Sequence, residues 1–287
     1  NVHLLGHSFG GVVSVDAVLQ NPARFASLTM WNSGPSALDR AYMTAWREGF
    51  DQGGPRFFWV AECQERGLDP EVDLRGEMNP VLAYYHRRLF DTNPAQLDAG
   101  IDILINNASA INLTRTDQTP AKRFDLMFDV NVRGTFLTSQ AALPHLRKSA
   151  QEGRNPHILN LSPPLSMKPV WFKNHVAYTM AKYGMSMCVL GMAEEFKREG
   201  IAVNALWPRT AIDTAALQMI PDIDTATCRT PEILSDAAYV ILNRDSKEHS
   251  GNFYVDDEVL ASVGITDLEK YSVVPGTKDF LLDFFLD

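Results

Sequence analysis

The sequence predicts an α/β protein built on a doubly wound, Rossmann-like parallel sheet. Three short apolar runs, residues 101–106, 157–162 and 201–206, have the composition of strands that are buried on both faces. Segments of helical length, residues 122–146 and 176–198, lie between these runs. Strands that alternate with helices in this way predict parallel pairing through crossover helices.

Composition narrows the class of protein. The 287 residues fit one large domain or two small ones. The net charge of −9 and the pI near 5.3 argue against non-specific binding to nucleic acid or to an anionic membrane. No apolar run has the length of a membrane span, no signal peptide is visible, and Cys63, Cys188 and Cys228 lack the spacing of metal ligands. We therefore predict a cytoplasmic protein without a metal site, whose partner is a small-molecule substrate.

The beginning of the chain predicts a strand, a tight turn, a helix and a second strand. The first strand covers residues 1–6, the helix residues 12–19 and the second strand residues 25–32. The turn carries a G-x-S-x-G pattern, which between a strand and a helix resembles the nucleophile elbow of α/β-hydrolases. The resemblance implies that Ser8 is an exposed nucleophile, with the backbone N–H of Phe9 placed to bind an oxyanion.

A serine hydrolase that uses Ser8 is therefore an alternative function, although parts of its machinery are missing. Residues 35–95 resemble the start of a helical cap over a hydrolase site. A serine nucleophile also needs a histidine base and a carboxylate, which follow it on later strands of that fold. After residue 95 the pattern changes, and neither His86 nor His145 follows a strand of the hydrolase type.

The use of lysine and arginine changes near residue 95, where the hydrolase-like sequence pattern ends. Every lysine lies beyond residue 98, whereas the first 98 residues carry eight arginines. We predict two parts, an α/β-hydrolase-like fragment over residues 1–95 and a second catalytic part over residues 96–287. Because the chain opens with Asn1 inside a predicted strand, we expect a fragment, a fusion or a gene model that is cut at its start.

Tyr178 and Lys182 indicate the chemistry of the second part. On a helix, residues four apart lie on one face, so the phenol and the ammonium are neighbours. A cation beside a phenol favours the phenolate and lowers the pKa of the phenol. Such a phenol can exchange a proton with a substrate oxygen while a hydride moves, as carbonyl reduction and alcohol oxidation require.

The surrounding motifs resemble those of the short-chain dehydrogenase/reductase family over residues 96–287. They are Asn-Asn-Ala-Ser at 106–109, Asn-Val-Arg-Gly at 131–134, a serine at the end of a strand, Tyr-x-x-x-Lys, and a proline after the next strand. The resemblance implies an oxidoreductase that uses NAD or NADP on an alcohol or ketone of lipid or steroid type.

The resemblance also implies a role for each matching residue. Tyr178 is the proton donor or acceptor, and Lys182 lowers its pKa and binds the ribose. Ser162 fixes the substrate carbonyl, and Asn131 anchors the proton relay. The residues placed against the cofactor are Asn106, Ala108, Tyr178, Lys182, Pro208, Thr210, Ile212 and Thr214.

Three positions depart from the pattern of the family. Ser109 and Arg209 stand where the family usually has glycine. Ser162 lies sixteen positions before Tyr178, which is further than is usual in the family. Ser166, twelve positions before the tyrosine, is therefore the alternative to Ser162.

The first three strands of the family, with their Gly-rich turn that binds pyrophosphate, have no counterpart in the sequence. Without them, the strand at residues 101–106 would expose an apolar edge. The predicted β-α-β unit of residues 1–32 can cover this edge. Its crossover and those of the second part are expected to be right-handed, so their strands can join one parallel sheet. We expect one hybrid sheet with the strand order 2-1-3-4-5-6, in which the Ser8 turn stands in the place of the Gly-rich turn.

The end of the chain predicts a helix over residues 236–242 and a last strand over residues 252–256. Phe280, Phe284 and Phe285 are expected to cover a subunit edge or the mouth of the pocket. A methionine-rich flank of the helix that carries Tyr178 fits a core or a subunit interface, so a homo-oligomer is one expected assembly. A catalytically inactive fusion product is the third functional alternative.

We expect the chain as it stands to show no saturable binding of NADH or NADPH in the low micromolar range, and so little turnover. Ser8 and Phe9 crowd the helix N-terminus where backbone N–H groups would hold the diphosphate. Losing several charge-assisted hydrogen bonds, each worth about 1.5–3 kcal/mol, lowers the affinity by orders of magnitude. Calorimetric or fluorescence titration measures this, and saturation at low micromolar cofactor would mean that the turn serves as a phosphate cradle.

Overall fold

The computed structural model describes residues 2–7, 25–31, 101–214, 217 and 223–286, the first two ranges by their backbone. Ser8 and its turn, the predicted cap over residues 35–95 and the predicted boundary near residue 95 lie outside the described residues. The hydrolase assignment of the first part therefore stays a prediction.

A six-stranded parallel sheet forms the centre of the described structure. Its order is β2-β1-β3-β4-β5-β6, with every neighbouring pair parallel. The strands are β1 (Val2–His7), β2 (Phe25–Trp31), β3 (Ile103–Asn106), β4 (His157–Asn160), β5 (Ala202–Trp207) and β6 (Phe253–Val255). The predicted fold class and strand order are confirmed.

The pairing of β1 with β3 covers the edge of β3 that would be exposed in the second part alone. Leu4 is opposite Ile103, and His7 is opposite Asn106, so the two strands end together. On its other side β3 pairs with β4, again in register from Ile103 to Asn106. Both edges of this short apolar strand are thus hydrogen-bonded, which removes the exposed edge that soluble proteins avoid.

Five helices are described, and they connect and flank the strands. They are α1 (Ala121–Met127), α2 (Thr135–Gln151), α3 (Val176–Phe196), α4 (Glu232–Leu242) and α5 (Asp256–Ala261). A π-helical segment, Phe128–Gly134, joins α1 to α2. No helix among these is long and apolar enough to cross a membrane.

Several predicted boundaries differ from those observed. The single helix predicted over residues 122–146 is interrupted by the π-helical segment around Asn131. The fourth strand ends at Asn160, so Ser162 follows it by two residues instead of ending it. The last strand ends at Val255, because Asp256 begins α5.

Strands β3, β4 and β5 are buried on both faces, as their unbroken apolar runs predict. Side chains alternate along β3, so that Leu104 packs on one face and Ile103 and Ile105 on the other. On one face, α2 and α3 pack Leu146, Val189 and Phe196 against the strand residues Leu104, Ile158 and Val203. On the other face, α4 and α5 pack Ile233, Ile241 and Leu260 against Ile105, Leu159 and Leu206.

Gly184 lets α3 approach the π-helical segment closely. A Cβ atom at this position would lie 2.6 Å from Cγ2 of Val132. Valine has few rotamers in a helix, so this methyl group has little freedom to move aside. Gly191, two turns further along α3, is exposed, and a Cβ there meets nothing within 4 Å. The two glycines therefore differ mainly in their neighbours, since Gly184 faces Val132 and Gly191 faces open space.

We expect Gly184→Ala to lower the free energy of unfolding by about 1–3 kcal/mol, because overpacking separates α3 from the π-helical segment. Gly191→Ala is the matched control, since both changes improve the helix propensity of α3 equally. Without a clash it should raise the free energy of unfolding by about 0.5–1 kcal/mol. Urea denaturation of both variants measures the difference, and equal stabilisation of the two would contradict the close approach.

Candidate active site

Polar side chains collect at the carboxyl ends of β3, β4 and β5. Asn106 is the last residue of β3, Ser162 follows β4 by two residues, and Thr210 follows β5 by three. All three are buried, and each has a side-chain oxygen without a hydrogen-bond partner among the described residues. Leaving such an oxygen unpaired costs about 1–3 kcal/mol, so a ligand that donates to it binds more favourably. Ligands of doubly wound sheets bind at this edge.

Asn106 braces the ends of the strands. Its Nδ2 donates to Oδ1 of Asn160, at 2.9 Å, and to Oγ of Ser139 on α2, at 3.0 Å. These bonds fix β3, β4 and α2 relative to one another. They also use the amide nitrogen fully and leave Oδ1 as the unpaired atom.

Asn131 connects the π-helical segment to the loop that follows β3. Its Oδ1 accepts from the backbone N–H of Ala110 at 2.7 Å, and its Nδ2 donates to the carbonyl of Ala110 at 3.1 Å. The side chain is fully buried. π-Helical turns are rare in proteins, and those that do occur are often found at functional sites. The described hydrogen bonds do not join Asn131 to Lys182, so its role in a proton relay stays a prediction.

Tyr178 and Lys182 both lie on the buried face of α3, one turn apart, as predicted. Tyr178 is 5% exposed and Lys182 is 4% exposed. Nζ of Lys182 donates to the carbonyl of Leu161 at 3.0 Å and lies 5.0 Å from the ring centroid of Trp207. Leu161 precedes Ser162, so this bond places the ammonium beside the polar end of β4.

The pKa values of these two groups are governed by burial. Burial lowers the pKa of Lys182 to about 8, and the negative charge of Asp283 opposes this shift. Burial also raises the pKa of Tyr178 above its ordinary value, and Asp283 adds to the rise. A hydrogen bond with Ser109 acts in the opposite direction. Desolvation of the phenolate is thus the largest influence on this pKa, and the lowering by Lys182 stays a prediction.

The structure distinguishes the environments of the two candidate serines. Ser162 is completely buried, and its Oγ has no partner among the described residues. Oγ of Ser166 accepts from the backbone N–H of Lys168 at 3.4 Å. The Tyr183 hydroxyl accepts from the backbone N–H of Ser166 and donates to its carbonyl. Ser162 thus has the unpaired hydroxyl that a substrate oxygen needs, and we keep it as the predicted substrate-binding serine.

The loop after β5 contains the remaining residues that the sequence places at the cofactor. Pro208, Thr210 and Ile212 are buried, and Ile212 forms a bridge with Arg229. Thr214 is exposed, and its Oγ1 accepts from the backbone N–H of Leu217 at 3.3 Å. Ala108, in the loop after β3, is buried. The cofactor contacts of these residues stay predictions.

Arg209, in the place of the usual glycine, ties this loop to the start of α5. Its Nε donates to Oδ2 of Asp257 at 2.8 Å, and its Nη2 donates to Glu258. Its backbone N–H donates to Oδ1 of Asp256 at 2.9 Å. The guanidinium charge is thus paired with two carboxylates.

One contact in the site was not predicted from the sequence, and the place of the C-terminal residues was predicted only in outline. Ser109 was recognised only as a replacement for glycine, yet it hydrogen-bonds to Tyr178. The residues near the C-terminus reach the site as well, because Phe285 is 1% exposed and its ring centroid lies 6.4 Å from that of Tyr178. The expected position of the C-terminal aromatics at a pocket mouth is close to this, whereas Phe280 instead lies beneath Arg229.

Comparisons with known proteins identify relatives of this chain. The family described as short chain dehydrogenase matches residues 85–222. The hydroxysteroid dehydrogenase-like protein 2 of Xenopus tropicalis is 59% identical over 218 residues, which are 75% of this chain and 49% of that protein. The chain therefore spans about half the length of this curated relative.

Solved structures show the same fold. A short chain dehydrogenase from Mycobacterium thermoresistibile is 34% identical, with a TM-score of 0.68 over 99% of this chain and 95% of that one. A 3-ketoacyl-(acyl-carrier-protein) reductase from Brucella melitensis, complexed with NADH, is 18% identical, with a TM-score of 0.56 over 88% and 96% of the two chains. The second likeness concerns the fold alone.

We expect Asn131→Ala to lower the melting temperature strongly. It leaves the N–H and carbonyl of Ala110 without their side-chain partner, at about 1–3 kcal/mol for each group. Asn131→Asp is the matched control, because it keeps the acceptor for the N–H and exchanges the amide donor for a carboxyl that donates only when protonated. Calorimetry at a pH where the new carboxyl is protonated should therefore place the Asn131→Asp variant between the wild type and the alanine variant. An alanine variant as stable as the wild type would contradict the brace.

Proposed function

This chain belongs to the short-chain dehydrogenase family, and on that premise we propose that it interconverts an alcohol and a ketone with NAD or NADP. The observation that carries the proposal is the set of unpaired oxygens of Asn106, Ser162 and Thr210 at the ends of three adjacent strands. Lys182 is joined to the residue before Ser162, and Tyr178 lies one helical turn away. The set fits a ligand that forms hydrogen bonds with this edge, because the hydroxyls of Ser162 and Thr210 can donate as well as accept.

Each residue has a chemical task in the proposed reaction. The hydroxyl of Ser162 donates to the substrate carbonyl and polarises it. Tyr178 gives its phenolic proton to the same oxygen when the carbon is reduced, and it takes the proton back in the oxidation. Lys182 would hold the ribose hydroxyls. Asn106 and Ala108 would lie beside the adenosine part, and Thr210 with its loop would hold the nicotinamide and its phosphates. A bound nicotinamide supplies or accepts the hydride.

Burial affects the two roles of Tyr178 differently. Its raised pKa keeps the phenol protonated at neutral pH, which is the form that reduction needs, but also makes it a weaker acid. Oxidation needs the phenolate, which the buried environment disfavours. We infer that opening of this environment to water or to a polar substrate is needed before the alcohol can be oxidised efficiently.

A lipid-like or steroid-like substrate fits the apolar surroundings of Tyr178. Trp171, Trp207, Phe284 and Phe285 belong to the apolar cluster that contains it. The name of the Xenopus relative refers to hydroxysteroids, and this supports the same class of substrate. The matched family gives no support to a hydrolase that uses Ser8.

The assembly and location of the chain remain proposals. Met180, Met187 and Leu190 on α3, with Phe136 and Leu137 on α2, expose large apolar side chains. Exposed apolar residues on neighbouring helices support a homo-oligomer. A cytoplasmic location and the boundary between residues 1–95 and 96–287 also stay predictions.

We expect Tyr178→Phe to lower the rate of NADPH- or NADH-dependent ketone reduction by about 10²- to 10⁴-fold, because the general acid is lost. Tyr254→Phe on β6 is the control, since it removes a phenol elsewhere in the same chain. The rate is followed by the absorbance of the reduced nicotinamide. Lys182→Ala should impair cofactor affinity and the rate constant together.

The same variants are also made in a chimera in which residues 1–100 are replaced by the corresponding segment of the Xenopus relative. This tests the roles of Tyr178 and Lys182 separately from the strength with which the native first part binds the cofactor. Undiminished turnover of the Tyr178→Phe chimera would assign the proton transfer to another group.

A further inference from the structure

The C-terminal segment, residues 281–286, is held against the loop that follows β5. Its backbone runs antiparallel to that loop, with Leu282 opposite Thr210. The N–H of Ala211 donates to the carbonyl of Leu281 at 2.8 Å, and the N–H of Asp283 donates to the carbonyl of Arg209 at 3.1 Å. These backbone bonds deliver the last residues of the segment to Tyr178.

The ring of Phe285 fills a cage of aromatic side chains. The centroid distances from Phe285 are 5.3 Å to Tyr183, 5.8 Å to Trp207, 6.1 Å to Trp171, 6.4 Å to Tyr178 and 6.5 Å to His175. All lie in the range in which aromatic rings attract one another. We call these five residues the aromatic cage.

The walls of the aromatic cage present apolar surfaces to the ring. Nε1 of Trp207 donates to the carbonyl of Phe284 at 2.8 Å, and the hydroxyl of Tyr183 donates to the carbonyl of Ser166 at 2.7 Å. The Tyr183 hydroxyl is thus engaged outside the cage, whereas the Trp207 N–H is paired only while Phe284 is in place. An incoming occupant therefore meets mainly flat faces and edges, which suit a flat apolar ring.

Phe285 occupies this cage in an unfavourable backbone conformation. Its φ is +72°, in the left-handed region that bulky side chains rarely adopt. Such a conformation persists only where surrounding contacts compensate for it. The contacts that do so here are those of the ring in the cage. An occupant that offers the cage the same contacts without this backbone would have an advantage over Phe285.

A substrate that reaches Tyr178 must compete with Phe285. The phenol is 5% exposed while the ring of Phe285 lies against it, so an outside carbonyl has little access to it. The carbonyl must come within hydrogen-bond distance of the phenol, which follows from the function proposed above. Phe285 therefore has to leave before the substrate is bound productively.

We propose that the aromatic cage is the binding site for a ring of the substrate, and that Phe285 is its internal occupant. The substrate class is then a ketone or alcohol that carries a flat apolar ring next to the reacting carbon. The ring replaces that of Phe285, and the oxygen meets Tyr178 and the unpaired hydroxyl of Ser162. Small ketones without a ring gain nothing from displacing Phe285 and bind poorly.

The test compares the binding of two ketones to the whole chain without any nicotinamide. Acetophenone carries a phenyl ring and 2-butanone does not. Phe285→Ala empties the cage, and Leu282→Ala is the matched control, since the side chain of Leu282 is 69% exposed on the same segment. Dissociation constants are measured by ligand-observed NMR.

We expect Phe285→Ala to bind acetophenone about tenfold more tightly than the wild type does. In the wild type, the molecules whose cage is filled by Phe285 cannot bind the ligand, and this lowers the apparent affinity. Leu282→Ala should bind acetophenone as the wild type does. Because 2-butanone has no ring to place in the cage, it should not enter the cage and should bind all three proteins equally weakly. Equal acetophenone affinity of the wild type and Phe285→Ala overturns the proposal. So does an equal gain for 2-butanone, which would indicate an opening without selectivity for a ring.

A second measurement on the wild type covers the case in which Phe285→Ala does not fold. Saturating acetophenone should accelerate hydrogen exchange at the amide of Ala211 and the indole N–H of Trp207, because both donate to the displaced segment. Unchanged exchange at both sites under saturation overturns the displacement. Neither readout involves hydride transfer, so a negative result here leaves the proposed redox function standing, and a failure of that function leaves the ring site standing.

Discussion

The alignment of the carboxyl ends of β3 and β4 is the constraint on which the site depends. Asn106 and Asn160 are paired partners at the ends of their strands, and only in this register does the amide of one reach that of the other at 2.9 Å. The next strand continues the alignment, with Ala205 opposite Asn160. A shift by one residue would exchange the two faces of a strand and turn these amides away from each other.

Much of the fold and part of the site could be predicted from the sequence, because they depend on local patterns. The apolar runs located β3, β4 and β5, and the spacing of Tyr178 and Lys182 placed both on one face of α3. The strand order followed from the need to cover an apolar edge. These are properties of short segments and of general topology, which a single sequence contains.

What the sequence did not supply depends on contacts between distant residues. The direction of the pKa shift of Tyr178 reflects its burial, and part of the charge near it comes from Asp283, more than a hundred residues later. The break in the helix at Asn131 depends on the backbone of Ala110 on another loop. Ser109 gave a signal, as a hydroxyl in place of glycine, but the partner of that hydroxyl depends on the position of α3. Burial and long-range pairing are decided by the assembled fold.

The pairing of β1 with β3 also bears on how such proteins can arise and be redesigned. In the described structure β1 is joined to the sheet by main-chain pairing, and main-chain groups are the same for every amino acid except proline. A half-sheet that ends in such an edge therefore accepts any strand of suitable length, direction and crossover hand. Recombination or engineering can therefore exchange the strands that pair with the edge of β3, while the residues at the far side of the sheet keep their places.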